Sequence, residues 1–144
     1  MRIADILETK GRTVHSIRLW KTVNDVVAEL GRARVGALLV LDAHDTIAGI
    51  VSERDIVRAL GRFGAATLTL EVTEVMTRQV RTCTSDELVT HAMATMTLGR
   101  HRHLPVVDNG QVVGLVSIGD LVKNRVREME LETGVLRDTV IARS

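Results

Sequence analysis

The chain has 144 residues, 45% hydrophobic and 26% charged, with net charge +1. That composition fits one compact body or two small halves sharing a core, and argues against disorder. Basic residues are scattered and Trp20 and Phe63 are the only aromatics, which excludes a basic nucleic-acid groove and a base-stacking platform. Cys83 stands alone, so no intrachain disulfide can form. No apolar run approaches the roughly 18 residues of a membrane span. The start carries charge too early for a signal peptide, and a soluble cytoplasmic protein is the expectation.

Residues 1–12 read as a short lead-in helix, with Ile3, Ile6 and Leu7 at helical spacing and Gly11 closing it. Val14–Ile17 is a candidate strand. Val23, Val26, Val27 and Leu30 mark one buried helix face, starting near Thr22, with Gly31 and Gly36 bracketing the turn that follows. Ala37–Leu41 is a continuous apolar run, as in a strand covered on both faces. A polar loop at 42–46 leads to a strand at Ile47–Val51 and a helix at Glu53–Leu60. Residues 61–66, flanked by glycines, form the linker candidate.

The order then repeats. Leu70–Met76 is a second lead-in helix and Val80–Cys83 a strand; Val89, Ala92, Met93 and Met96 form a helix face, with Thr84-x-x-Glu87 as its capping box. His103–Val107 and Val112–Val116 flank a tight turn at Asp108-Asn109-Gly110. Ile118 opens a helix that continues, charged and less periodic, to the end, with Gly134 as its break.

Gly49-Ile50-Val51-Ser52-Glu53-Arg54-Asp55-Ile56-Val57-Arg58 returns 65 positions later as Gly114-Leu115-Val116-Ser117-Ile118-Gly119-Asp120-Leu121-Val122-Lys123. A strand running into a helix is thus written twice. The fold class is α/β: two βαββα repeats, packed sheet to sheet with pseudo-twofold symmetry because each alone buries too little. The expected divisions are 1–66 for the first repeat with its lead-in, 67–126 for the second, and 127–144 for a helical tail.

Ser-x-x-Asp at such a junction has two physical readings. The unpaired N–H groups at a helix start suit a phosphate, and a carboxylate can accept both hydroxyls of a ribose. The same pair is also an ordinary helix cap.

The stretches Thr22-Val23, Gly36-Ala37-Leu38-Leu39-Val40, Asp42 and Gly49-Ile50-Val51-Ser52-x-x-Asp55 resemble a cystathionine-β-synthase (CBS) domain. So do Val89-x-x-Ala92, Met96, Leu104-Pro105-Val106-Val107-Asp108 and Gly114-Leu115-Val116-Ser117-x-x-Asp120. Together they look like a tandem CBS pair, a Bateman module, over about residues 10–125, resembling stand-alone bacterial members. The resemblance implies a regulatory module that binds an adenosyl ligand (AMP above all, or ADP, ATP or NAD(H)) in clefts between the repeats, dimerises through its helices, and signals to a separate protein partner. It implies that Asp55 and Asp120 hold ribose hydroxyls, that Ser52 and Ser117 lie near phosphate, and that basic residues on the second strand complete the anion site.

Arg102-His103 resembles that phosphate pair, and Arg suits forked phosphate recognition; the competing reading is a solvated strand end. The first repeat has Val35-Gly36 there, so the two clefts should differ, and whether Arg102 and His103 serve Asp120 or Asp55 stays open. Arg54 could reach a phosphate or cover a helix face. Lys10, Arg12 and Arg78 are weaker basic candidates. Ser16 and Thr82 could bond an adenine edge, with Val14, Val80 and Pro105 sandwiching the ring.

Other chemistry has less support. His101-x-His103 puts two imidazoles on one strand face, a possible half of a metal site with no third ligand evident. Cys83 reads as packing. No metal, catalytic residue or catalytic cofactor is expected. A small enzyme would need Glu53 as its base; a third reading is a structural dimer with degenerate sites.

Overall fold

The computed structural model describes the backbone of residues 1–143 and the side chains of 1–132. The helices are α1 (Ile3–Lys10), α2 (Val23–Ala33), α3 (Glu53–Phe63), α4 (Val89–Gly99) and α5 (Ile118–Arg143). The strands are β1 (Ser16–Arg18), β2 (Ala37–Leu41), β3 (Ile47–Ser52), β4 (His103–Asp108) and β5 (Gln111–Ser117). The chain folds into two compact units, Thr13–Arg81 and Met1–Arg12 together with the chain from Thr82 onward.

The repeats expected at 1–66 and 67–126 therefore exchange their lead-ins. In the first unit, β1 runs parallel to β2, and β2 antiparallel to β3. Val23, Val26, Leu38, Val40, Val51 and Ile56 form its core, closed by Val72 and Met76 from the second lead-in. In the second unit, β4 and β5 form a hairpin whose core, Ala92, Met96, Leu104, Val116 and Leu121, is closed by Ile3, Ile6 and Leu7 from the first lead-in. Backbone bonds fix the lead-ins in equivalent ways: Val23 N–H donates to the Leu70 carbonyl (2.8 Å) and Val89 N–H to that of Met1 (2.9 Å). Each fully buried Val, Leu or Ile contributes roughly 1.5–3 kcal/mol, so neither lead-in is dispensable to the unit it closes.

The glycines that open the duplicated motif explain themselves here. A Cβ on Gly114 would lie 2.6 Å from Leu7 Cδ2, and one on Gly49 2.7 Å from the Thr77 carbonyl oxygen. The strand needs bare backbone because the lead-in crosses directly over it.

Several expectations are corrected. Val80–Cys83 forms no strand; only Cys83 makes a parallel bridge, to Val106. Thr84 and Glu87 do not cap α4: Thr84 Oγ1 donates to Asp86 Oδ1 (2.5 Å), and the N-cap position is Leu88. Residues 61–66 are no linker, since α3 runs to Phe63 and a 3-10 stretch follows at Gly64–Thr69. Thr67 anchors that stretch, fully buried, by donating Oγ1 to the Ala59 carbonyl at 3.0 Å. The second lead-in is a single 3-10 turn, Val72–Glu74. Gly31 lies inside α2, whose C-cap is Arg34 at φ 56, and Val27 is exposed rather than buried. Helix α5 passes through Gly134 without a break.

Candidate functional site

Each unit holds its Ser-x-x-Asp where a strand meets a helix. In the first, Asp55 Oδ2 accepts Ser52 N–H (2.9 Å) and Ser52 Oγ–H (3.1 Å), while Ser52 Oγ accepts Asp55 N–H (3.3 Å). In the second, Asp120 Oδ2 accepts Ser117 N–H (2.8 Å) and Ser117 Oγ accepts Asp120 N–H (3.1 Å). Both junctions are thus reciprocal capping boxes, and the cap reading holds in each copy. It does not use up the carboxylates, which offer about four acceptor positions.

The two carboxylates differ in what the lead-in gives them. Thr77 Oγ1 donates to Asp55 Oδ1 at 3.1 Å, a neutral partner. Lys10 Nζ donates to Asp120 Oδ2 at 2.5 Å and to the Leu115 carbonyl at 2.6 Å. Burial alone would raise the Asp120 pKa, but Lys10 and the Ser117 backbone N–H outweigh it and hold the carboxyl below its usual value.

Each Asp lines a cleft within its own unit. The one beside Asp120, about 190 Å3, also presents Lys10, Lys123 and Arg127; the one beside Asp55, about 280 Å3, presents Arg58, Arg62 and Glu74. Three cations and one carboxylate face two and two, so the Asp120 cleft is the electropositive one. Arg58/Lys123 and Arg62/Arg127 are repeat-related.

Arg102 and His103 adjoin the Asp120 junction through the backbone. His103 pairs in register with Ser117, and the Arg102 carbonyl accepts the N–H of Ile118, the first residue of α5 (2.9 Å). The Arg102 side chain is exposed. Pro105 is buried in β4 and its carbonyl accepts Cys83 N–H (3.0 Å), placing exposed Thr82 one residue from the same strand. Lys10, Thr82, Arg102, His103, Pro105, Ser117 and Asp120 therefore share one unit. Val14, Ser16, Ser52, Arg54, Asp55 and Val80 fall in the other, with Arg54 exposed on α3 and Ser16 exposed on β1.

Sequence reasoning missed Thr77 as the donor to Asp55. Ile3, Ile6 and Leu7 of the first lead-in correspond to Val72, Val75 and Met76 of the second, which aligns Thr77 with Glu8 and not with Lys10, so no sequence signal pointed to it. The two imidazoles expected on one strand face are not there: His101 precedes β4, its N–H bonded to the Met96 carbonyl (3.0 Å). Among the described residues no group of three or more His, Cys, Asp or Glu could hold a metal. Cys83 is buried, and burial, with the charges of Glu87 and Asp108, pushes its thiol up to about 12, which removes it as a nucleophile. Among the described residues no helix is long and apolar enough to cross a membrane.

Comparison with known proteins agrees with this architecture. The sequence model of the CBS domain matches residues 21–62 and 72–127. The CBS domain-containing protein CBSX3, mitochondrial, of Arabidopsis thaliana is 35% identical over 134 residues, 88% of this chain and 65% of that protein. Further curated relatives are longer, and the chain spans about a quarter of their length. Among solved structures, the CBS-domain containing protein ATU1752 from Agrobacterium tumefaciens is 38% identical, with TM-score 0.82 over 86% of this chain and 92% of its own. The CBS domain protein PAE2072 from Pyrobaculum aerophilum, complexed with AMP, is 29% identical, with TM-score 0.77 over 92% and 99%. With both repeats matched and the fold shared, the chain belongs to the CBS domain family as a tandem pair.

Proposed function

We propose that this chain is a regulatory adenosyl-ligand sensor that carries out no chemistry of its own. AMP is the foremost ligand, with ADP, ATP and NAD(H) as competitors, and a separate protein partner reads the bound state. The observation that carries the reading is the asymmetry of the two junctions. The Asp120 cleft sets Lys10, Lys123 and Arg127 around the carboxylate, the pairing of diol acceptor and cations that a nucleotide needs, and Arg102 and His103 adjoin the same junction along the backbone. The related Pyrobaculum protein, solved with AMP, supports that ligand class.

In this reading Asp120 accepts the ribose hydroxyls, Ser117 and the start of α5 face the phosphate, and Arg102 and His103 neutralise it. Pro105 flanks the base, and Thr82 bonds its edge. Ser52, Arg54, Asp55, Ser16, Val14 and Val80 form the weaker counterpart in the other unit. Binding shifts a population of conformations, and that shift is the signal.

The test is a thermal-shift and calorimetric titration with AMP, ATP and NADH. A ligand at 100 times its Kd stabilises the fold by about 2.7 kcal/mol, a rise of several degrees. Arg102→Ala, at an exposed side chain, is expected to leave the ligand-free melting temperature within about 1 °C and weaken AMP binding at least tenfold. Equal affinity in the variant would remove the phosphate assignment.

A further inference from the structure

Among the described residues lining the cleft beside Asp120, that aspartate is the only carboxylate, and Lys10, Lys123 and Arg127 are the cations. Lys10 is bonded to it: Nζ donates to Asp120 Oδ2 at 2.5 Å and to the Leu115 carbonyl at 2.6 Å. A carboxylate oxygen has about two acceptor positions. On Oδ2 one takes Lys10 and the other takes Ser117 N–H (2.8 Å), a backbone bond that caps α5 and is fixed with it. A ribose that sets one hydroxyl on each carboxylate oxygen therefore needs the position that Lys10 holds.

Moving Lys10 aside is not equally unfavourable for every ligand. The pair is partly buried, its side chains 37% and 26% exposed, so water screens a parted ammonium only in part. The cleft holds no second carboxylate to receive it among the described residues, and Lys123 and Arg127 repel it. An uncharged nucleoside leaves Lys10 in that state. A phosphorylated one brings an anion into the same cleft, and the ammonium exchanges one oxygen partner for another as Asp120 takes the diol. The Asp55 junction has no such exchange, since the lead-in donor there is the neutral Thr77 hydroxyl.

We propose that Lys10 sets the selectivity of the Asp120 cleft for phosphorylated over unphosphorylated adenosyl ligands, by occupying the diol acceptor until a phosphate replaces Asp120 as its ion-pair partner. The proposal rests on the nucleotide reading of this cleft and adds the residue that turns nucleosides away. Lys10 is the last residue of α1, so the exchange also changes how the lead-in is tied to the junction it covers.

The test is calorimetric titration of AMP and of adenosine into the full chain and into Lys10→Met, with circular dichroism confirming the fold of each. The variant binds adenosine roughly three- to fivefold tighter than wild type does, because the competing ion pair is gone. It binds AMP more weakly, so the ratio of the two affinities falls about tenfold. Lys10→Arg, which keeps the charge, keeps the wild-type ratio to within about threefold. A second measurement needs no variant: millimolar inorganic phosphate tightens adenosine binding to the wild type, because it supplies the partner that Lys10 requires. If neither Lys10→Met nor phosphate tightens adenosine binding while AMP still binds, the exchange is overturned and the nucleotide reading stands. Absence of AMP and adenosine binding in wild type and variant alike overturns both.

Discussion

Lys10 and Thr77 each donate to the junction aspartate of their unit and give it opposite settings. Lys10 makes Asp120 half of an ion pair, while Thr77 gives Asp55 a neutral hydrogen-bond donor. Because the Asp120 carboxyl titrates below its unfolded value of 3.8, the pair contributes fully above about pH 4 and is lost as pH falls through the folded-state value. Lys10→Met should therefore lower the melting temperature at pH 7, by an amount corresponding to about 1 kcal/mol at this partly exposed pair. The difference from wild type should shrink as the pH drops below 4. A difference that stays constant across that range would show that Lys10 acts by packing. The aspartates ahead of the hairpins diverge in the same way. Asp42 Oδ1 ties its own loop by accepting His44 N–H (2.8 Å) and Thr46 N–H (2.9 Å), whereas Asp108 accepts the backbone N–H (2.9 Å) and hydroxyl (2.5 Å) of Ser85.

At the scale of elements, local chemistry was legible and long-range closure was not. The apolar run of β2 matches its predicted span, and Thr22 caps α2 with a capping box to Asp25. Asn109 and Gly110, at φ 52 and 77, make the two-residue turn their identities predict. By contrast, Val80–Cys83 has strand-like residues but pairs only through Cys83, because β propensity needs a partner edge to act on. Gly134 costs roughly 1 kcal/mol against Ala in a helix, too little to stop a 26-residue one. The exchange of lead-ins was invisible because no local signal says which repeat a short amphipathic segment will cover. That exchange carries its own prediction. Gly114→Val places a branched side chain against Leu7 and should destabilise the fold by about 1–3 kcal/mol, read by chemical denaturation. A matching Leu7→Ala change in the same chain should recover part of the loss. Stability unaffected by Gly114→Val would contradict the close crossing of α1 over β5.

For the whole molecule, the duplication that identified the family also hid the feature most relevant to function. The copies agree at Gly, Val, Ser and Asp, which build and cap the junction, and differ in the charges around it, which decide what can bind there. Arg102-His103 against Val35-Gly36 was readable from sequence; the Lys10 pair needed the fold, since 110 positions separate it from Asp120. Asp120→Asn keeps an acceptor for the cap yet removes the charge that attracts two hydroxyl donors. Asp55→Asn makes the same change in the less positive unit. Calorimetric titration of AMP into the wild type and these two variants tests the central claim most directly. Saturable binding that Asp120→Asn weakens at least tenfold, and Asp55→Asn weakens far less, is the predicted result. Binding insensitive to Asp120→Asn, or no binding of AMP, ATP or NADH at millimolar concentration, would contradict it.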